Sequence, residues 1–310
     1  MSAGTVLYHF YHRPLGTIRK TLKTGIRQTF AINRGQKQMI KAATSLREVR
    51  YEGAEQFDVY FLTGKKYWFQ TAFCLYSLQI NAGTNIHAYV VDDGSFDDEL
   101  EGLAKQCFPN SITIVQSKKI NHFLDEKLPE SKYPVLRRRR IEYPHLRKLT
   151  DVHVLPGERP KLVLDSDMLF FHRPDEMLKW LQNPNGFLFM RDVTESYGYS
   201  LPLMKELTGA STMPERLNVG AAGLASSLID WQKLEFWTGE LLRREGSSYL
   251  QEQALTAMLA ANEAYYFLNE SDYKVCPAIN RLTVPEILHH YVADSKYDYF
   301  VKGWKFFANK

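Results

Sequence analysis

The chain has 310 residues, of which 45% are hydrophobic and 24% charged, and its formal net charge is +4. This composition excludes disordered, collagenous and coiled-coil proteins and is typical of a globular chain that buries about three quarters of its unfolded surface. No stretch approaches the roughly 18 to 20 unbroken apolar residues of a spanning helix, and the first residues lack the apolar core of a secretory signal. The three cysteines form no CxxC pair. We therefore expect a protein of a reducing, cytoplasmic compartment without disulfides or a thiolate zinc site.

The positive charge is an N-terminal property. Residues 1–50 hold ten basic residues and one acid, Glu48, whereas the other 260 residues hold 29 basic and 34 acidic residues. A basic arm joined to a mildly acidic body is typical of a segment that meets an anionic partner. We divide the chain into a basic N-terminal extension, residues 1–56, and one main domain, residues 57–310.

The extension carries an apolar residue every three or four positions, with basic residues between them, which predicts an amphipathic helix. The stripe consists of Leu15, Ile18, Leu22, Ile26, Phe30 and Ile32. Such a helix either lies on an anionic membrane surface, making the protein peripheral at the inner face of the membrane, or packs against the main domain. The sequence leaves both interpretations open.

The main domain begins with the α/β pattern of a parallel sheet. Strand-like runs at FDVYFLT, IHAYVVDDGS and SITIVQS alternate with helical stretches, and the runs are almost continuously apolar, as expected for strands covered on both faces. Ligands of such sheets bind outside the carboxyl ends of the strands. Thr63, Asp92 and Asp93 lie at these ends and are candidate ligand-binding residues.

The middle of the chain, residues 117–160, is polar and includes four consecutive arginines, Arg137–Arg140. We expect a solvated face there. A second α/β portion follows, with strands at KLVLDSDMLFF, GFLFMRD and NVGAAGLAS and helices near residues 227–245 and 248–262. The chain has no internal repeat and no long linker, so we expect a single domain with a mixed, mostly parallel sheet flanked by helices.

Two carboxylates, Asp165 and Asp167, interrupt the apolar run KLVLDSDMLFF. On extended backbone, residues i and i+2 face the same side, so both carboxylates would converge on one point. Two such charges are tolerated together when a cation lies between them, and their hard oxygen ligands suit Mg²⁺ or Mn²⁺. The alternative is that the strand ends early and DSD forms a solvated turn.

A second candidate group lies in HHYVADSK near the C-terminus. A neutral imidazole is a good ligand for Mn²⁺, and a lysine offers a compact charge to a phosphate oxygen. Only one of the adjacent His289 and His290 can face inward on extended backbone. The alternative is a hydrogen-bonded structural histidine.

Together these segments resemble the GT-A glycosyltransferases, and more narrowly the retaining family 8 enzymes of glycogenin and lipopolysaccharide galactosyltransferase type. The matching segments occur in the family's order and read VVDDGS, LRKLTDVHVLPGERPKLVLDSDM, NVGAAGLAS, YLQEQAL, CPAINR and HYVADSK. They span about residues 57–300. Residues 1–56 and the arginine run have no counterpart in the resemblance.

The resemblance implies a divalent cation, Mn²⁺ or Mg²⁺, on Asp165, Asp167 and His290, and a donor diphosphate on Lys296. Arg147 or Lys148 would lie near the nucleotide sugar, and the spacing to Asp165 favours Lys148. The remaining implied donor-binding and sugar-binding positions are Thr63, Asp92, Asp93, Ser166, Asp192, Asn218 and Gln253, with Asp192 and Gln253 nearest the reaction.

The predicted function is transfer of a hexose from a nucleotide-diphosphate sugar, expected to be a UDP-sugar, to a hydroxyl of a glycan, polysaccharide or lipid-linked acceptor, with retention. An inverting enzyme would instead need a carboxylate base, for which Asp192 or Glu195 is the candidate. A non-catalytic sugar-nucleotide-binding protein is the third interpretation. A sugar nucleotidyltransferase is disfavoured because FLTGKKYW lacks a glycine-rich phosphate loop, and no motif supports nucleic-acid binding.

Overall fold

The computed structural model describes residues 25–280 and 282–308. Its helices are α1 Ile26–Ala43, α2 Trp68–Ala82, α3 Asp98–Cys107, α4 Ser117–Lys127, α5 Pro134–Glu142, α6 Arg147–His153, α7 Asp175–Gln182, α8 Leu201–Thr208, α9 Trp231–Glu245, α10 Gln251–Ala260 and α11 Lys296–Val301. Its strands are β1 Gln56–Thr63, β2 Asn85–Asp92, β3 Ile112–Val115, β4 Lys161–Leu164, β5 Met168–Phe170, β6 Phe187–Arg191, β7 Leu217–Leu224, β8 Tyr265–Phe267, β9 Tyr273–Val275 and β10 Leu288–His290.

Seven strands form the main sheet in the order β3-β2-β1-β4-β7-β6-β8. The pairs β1 with β2, β2 with β3, β1 with β4 and β6 with β8 are parallel, whereas β7 runs antiparallel to both β4 and β6. The predicted mixed, mostly parallel sheet is confirmed. Since the first strands run in the same direction, their carboxyl ends meet at one edge.

Hydrophobic cores lie on both faces of this sheet. Along β1, Val59 and Phe61 belong to one core and Tyr60 to the other, as the two-residue period of a strand requires. The helix α2 packs into the first core and is buried almost all round. This double coverage explains why the strands are nearly continuous apolar runs in the sequence.

A second sheet of three strands, in the order β5-β10-β9, brings the C-terminal segment to the first half of the domain. His290 pairs with Met168 across the antiparallel β5 and β10, and the Tyr291 N–H donates to the Asp167 carbonyl at 2.9 Å. The DSD segment joins β4 of the main sheet to β5 of the small one. Strand pairing therefore places His290 beside the two aspartates, although about 125 residues separate them.

The helix α1 packs against the body, but through a different face from the predicted apolar stripe. Gly35, Met39 and Ala43 are buried against α11 and α2, and Gly35 lies so close to Phe300 that an added Cβ would stand 2.0 Å from its carbonyl oxygen. Of the predicted stripe, Ile32 is half-buried, whereas Ile26 and Phe30 are exposed. The other predicted members, Leu15, Ile18 and Leu22, lie outside the described residues.

The arginine run does not form the solvated face that the sequence predicted. Arg140 forms two hydrogen bonds, of 2.5 and 2.7 Å, with the fully buried Asp151, and Arg139 donates to Gln251 at 2.5 Å. The prediction was wrong because these side chains cross the gap between α5, α6 and α10 and satisfy buried polar groups there. Arg138 does project outward, with its side chain 66% exposed.

Across the part of the chain that the structure describes, no helix combines the length and apolar character needed to cross a membrane.

Candidate functional site

A cavity of about 1070 Å³ opens at the carboxyl ends of β1 and β4. Its lining includes ten of the residues predicted from the sequence, namely Asp93, Lys148, Asp165, Ser166, Asp167, Asp192, Asn218, Gln253, His290 and Lys296. Thr63 and Asp92 lie at the same edge but are buried and do not line the cavity. The structure therefore gathers most of the predicted residues around one space.

Two carboxylates and one imidazole converge at the bottom of this cavity. The His290 Nε2 atom lies 3.5 Å from Asp165 Oδ2 and 3.4 Å from Asp167 Oδ1, and one ligand atom from each residue falls within 4.8 Å of the others. The strand ends at Leu164, so DSD is a turn and not the extended backbone assumed for the convergence. Two carboxylate oxygens and an imidazole nitrogen form a donor set that fits Mn²⁺ or Mg²⁺.

The orientation of the His290 ring is set by Asn218 on β7. The Asn218 amide nitrogen donates to Asp192 at 3.0 Å, and its amide oxygen accepts from the Gly220 N–H at 2.9 Å and lies 3.1 Å from His290 Nδ1. Since this oxygen is an acceptor, Nδ1 carries a proton. The other nitrogen, Nε2, then faces the aspartates, which is the arrangement of a metal-ligating histidine held by a partner.

Electrostatics tie these three groups together. Burial disfavours the charged form of Asp165 and Asp167, but Lys148, Lys296 and His290 outweigh it, so the pKa of both carboxyls is held below the ordinary value. Burial would lower the pKa of His290, but hydrogen bonds to the two aspartates raise it to about 9. The ring is therefore an imidazolium at neutral pH in the metal-free protein, and a cation that takes this position must displace its proton.

Lys296 begins α11 and reaches the same turn. Its Nζ forms an ion pair with Asp167 Oδ2, and it also lies 5.5 Å from the centre of the Tyr299 ring. Ala293, which also lines the cavity, has a left-handed φ of 46°, so the chain turns sharply between His290 and Lys296. This turn lets the side chains of His290 and Lys296 both point into the cavity.

Lys148 rather than Arg147 reaches the DSD segment. Its Nζ lies 3.0 Å from Asp165 Oδ1 and 3.3 Å from Glu252 Oε2. Although burial disfavours its charge, the two carboxylates raise its pKa above the ordinary value. Arg147 instead donates to the backbone carbonyl of Asp93 at the cavity wall. Lys148 is thus a fixed positive charge beside the proposed metal ligands.

Glu252 is a cavity residue that sequence reasoning missed. It is 5% exposed, and burial raises the pKa of its carboxyl to about 7, against the opposing effect of Lys148. The sequence could have indicated Glu252, since it directly precedes Gln253 in the segment YLQEQAL, but only Gln253 was selected as a site residue. Gln253 donates to the Ser196 carbonyl at 2.8 Å and lines the same wall.

Aromatic side chains at one rim of the cavity were also missed. His145 lies edge-on to Tyr249, with ring centres 5.0 Å apart, and contacts Tyr143 at 5.4 Å. Tyr249 is 74% exposed although it lines the cavity. Such rings offer apolar faces to a sugar or a base. Because Tyr249 lies 106 residues after Tyr143 in the chain, no periodicity in the sequence could have grouped these rings.

Thr63 and Asp92 support the cavity from below. The Thr71 hydroxyl donates to Thr63 Oγ1 at 2.8 Å and lies 2.8 Å from Ser166 Oγ. The Asp92 carboxylate accepts backbone N–H groups of the following loop, including Gly94 at 2.7 Å. Both residues shape the segments that carry Ser166 and Asp93, and their predicted contact with a donor stays a prediction.

Solved glycosyltransferase structures share this fold. Mouse xyloside xylosyltransferase 1 in its apo form is 12% identical, with a TM-score of 0.54, over 78% of this chain and 99% of that one. The galactosyltransferase LgtC, in complex with donor and acceptor sugar analogs, is 15% identical, with a TM-score of 0.55, over 81% of this chain and 94% of that one. No family model and no curated protein matches the chain. The GT-A type of fold predicted from the motifs is confirmed.

Proposed function

We propose that this protein is a metal-dependent glycosyltransferase that moves a hexose from a UDP-sugar to a hydroxyl of a glycan or lipid-linked acceptor. The observation that carries the proposal is the convergence of Asp165, Asp167 and His290 with two lysines, Lys148 and Lys296, in one cavity at the carboxyl edge of a GT-A sheet. Such a site suits a donor whose diphosphate needs positive charge and whose sugar needs polar contacts.

The charge at the site matches the departure of a nucleoside diphosphate. A divalent cation bound by Asp165, Asp167 and His290 would supply Lewis-acid stabilisation of the negative charge that develops on the leaving group. Lys296 would exchange its ion pair with Asp167 for a charge-assisted hydrogen bond to the diphosphate. Lys296, which neutralises the charge of Asp167 in the free protein, would then help to hold the donor.

The cavity residues next to the proposed metal ligands would hold the transferred sugar. Lys148 already has Asp165, Val219 and Glu252 as acceptors, so it would fix the Glu252 carboxylate, which lines the cavity and would accept from a sugar hydroxyl. Asn218 and Gln253 also line the cavity, and their amides are already fixed by Asp192 and Ser196. Groups held in this way orient a sugar without having to be reorganised during the reaction.

We propose that the reaction retains the anomeric configuration. An inverting enzyme needs a carboxylate base free to accept the acceptor's proton. The other carboxylates of the cavity lining have internal partners: Asp192 accepts from Asn218, Glu252 pairs with Lys148, and Asp93 accepts from Ser95. Front-face attack, with the departing phosphate taking the proton, needs no such base.

Donor hydrolysis without an acceptor tests the proposal. The purified chain should release UDP from at least one UDP-hexose in the presence of Mn²⁺ and stop when the metal is chelated. Asp167→Asn, which keeps the shape of the side chain but removes its charge, should lower this rate by about 100-fold or more. Asp230→Asn is the matched control, since Asp230 is exposed and caps α9, a role that Asn fills equally well.

Each outcome has a clear meaning. Failure of every nucleotide sugar to bind in a metal-dependent way, or full activity in Asp167→Asn, would refute the enzyme proposal. NMR of the first-formed product from an α-linked donor reads out the stereochemistry, and a β-linked product would replace retention with inversion.

A further inference from the structure

The outward face of α1 combines apolar and basic side chains in a way that the fold does not explain. Ile26, Phe30 and Ile40 are 79%, 70% and 45% exposed. Arg34, Lys37 and Lys41 are exposed on the same helix. Large apolar side chains are costly to expose, so such a concentration on one short face indicates a surface that meets something else.

Helical geometry puts these residues on one side. At 100° per residue, Ile26, Phe30 and Lys37 fall within about 40° of one another, and they point away from the buried Gly35 and Met39. Among residues 25–280 and 282–308, the body packs on one side of the helix and leaves this side exposed. We call the set Ile26, Phe30, Arg34, Lys37, Ile40 and Lys41 the outer face of α1.

The charge of this face has one sign. No acidic residue occurs before Glu48, so the basic side chains of α1 are not neutralised by acids of their own helix. Nucleic acid would satisfy the positive charges but offers no apolar phase for Ile26, Phe30 and Ile40. An anionic bilayer satisfies both, since basic groups meet its head groups while apolar side chains enter the acyl boundary.

We propose that the outer face of α1 docks this protein on an anionic lipid bilayer. The buried face of the same helix packs on α11 at Phe300, one helical turn after Lys296. The lipid-binding face and the cavity are therefore joined through two packed helices. Docking would hold the cavity in a fixed relation to the membrane surface and close to acceptors that are anchored there.

Vesicle co-sedimentation of the full chain tests this inference. Vesicles of phosphatidylcholine alone are compared with vesicles containing one quarter phosphatidylglycerol, at about 0.1 M salt. The wild-type chain should bind only the anionic vesicles, and more weakly as salt rises. Ile26→Ser with Phe30→Ser should weaken binding by about tenfold or more, because two large apolar side chains no longer enter the bilayer. Arg34→Gln with Lys37→Gln should also weaken it by about tenfold or more, because each basic group near the surface contributes about fivefold.

The matched control lies on α9, which also exposes an aromatic and a basic residue. Phe236 is 57% exposed, and the Lys233 side chain is 64% exposed, but Lys233 pairs with Asp230 and the helix itself carries three glutamates. Phe236→Ser with Lys233→Gln should bind anionic vesicles like the wild type. All variants should keep the far-ultraviolet circular dichroism of the wild type, which shows that the loss is not unfolding.

Four results would overturn the inference. These are no binding of the wild type to anionic vesicles, equal binding by the α1 variants, tighter binding of the wild type to tRNA than to vesicles, and a dimer in light scattering that Phe30→Ser converts to a monomer. Equal binding would mean that residues 1–24 act without α1, and the last result would assign this face to a second copy of the chain.

Discussion

Substitution of Gly220 by alanine should displace the histidine of the candidate metal site. A Cβ at this position would stand 2.3 Å from both Nδ1 and Cε1 of His290 and 2.7 Å from the Met168 methyl group. Ordinary contacts of this kind are about 3.5 Å or longer, so something must move by more than 1 Å. The question is which group yields.

The backbone at Gly220 is held more firmly than the imidazole. Its N–H donates to Asn218 at 2.9 Å, and its carbonyl accepts from the Asp165 N–H at 2.7 Å. Moving the backbone would break both bonds within the central part of the sheet. We therefore expect His290 to swing out of line with the aspartates. Overpacking of this kind costs about 1–3 kcal/mol of stability, and misplacing a ligand of the proposed metal lowers affinity by roughly 10- to 100-fold.

Two measurements on one protein check this prediction. Urea unfolding gives the loss of stability, and calorimetric titration with Mn²⁺ gives the loss of affinity. Gly102→Ala is the control, because Gly102 lies within α3 with no atom near its missing Cβ, and alanine there should stabilise the chain by about 0.5–1 kcal/mol. A folded Gly220→Ala protein with unchanged Mn²⁺ affinity would refute the reasoning.

Two further predictions concern stability. His153 is buried, and burial lowers its pKa to about 3, so only the unfolded chain takes up this proton as the pH falls below 6.5. The free energy of unfolding should therefore fall by about 2 kcal/mol from pH 7 to pH 5 through this residue, and His153→Gln should show a correspondingly shallower dependence in urea titrations. Arg140→Met should cost about 3–5 kcal/mol, since it leaves the buried Asp151 unpaired, whereas Arg138→Met should change thermal stability little. Equal losses in the two variants would contradict the structural role of Arg140.

The strands of the main sheet were predictable because local composition determines them. A strand covered on both faces is apolar throughout, and the ends of β1, β2 and β3 lie within three residues of those of the runs from which they were predicted. The two aspartates of the candidate metal site could be selected for a related reason, since carboxylates that interrupt an apolar run need a partner. The turn geometry of Asp165 and Asp167 could not be predicted. It is fixed by the pairing of β5 with β10, two strands that lie far apart in the sequence.

Arg139 and Arg140 show where prediction from sequence ends. Nothing local distinguishes a solvated arginine from one that crosses to a buried acceptor, and their acceptors, Gln251 and Asp151, are identified only by the packing of three helices. The outer face of α1 shows the converse. The apolar stripe predicted a helix, and its described members, Ile26, Phe30 and Ile32, do lie on one, yet Ile26 and Phe30 face away from the body. Periodicity locates a face but does not say what covers it.

The DSD turn joins the main sheet to the small one, and this has a consequence for local opening of the chain. In the metal-free protein, the C-terminal segment from β10 to α11 is held at this joint by hydrogen-bonded charges, with His290 and Lys296 on one side and the two aspartates on the other. A bound cation would cross-link residues that close a loop of more than one hundred residues. Amide protons of β10 should then exchange with solvent more slowly, and the joint would couple donor binding to the order of the C-terminus.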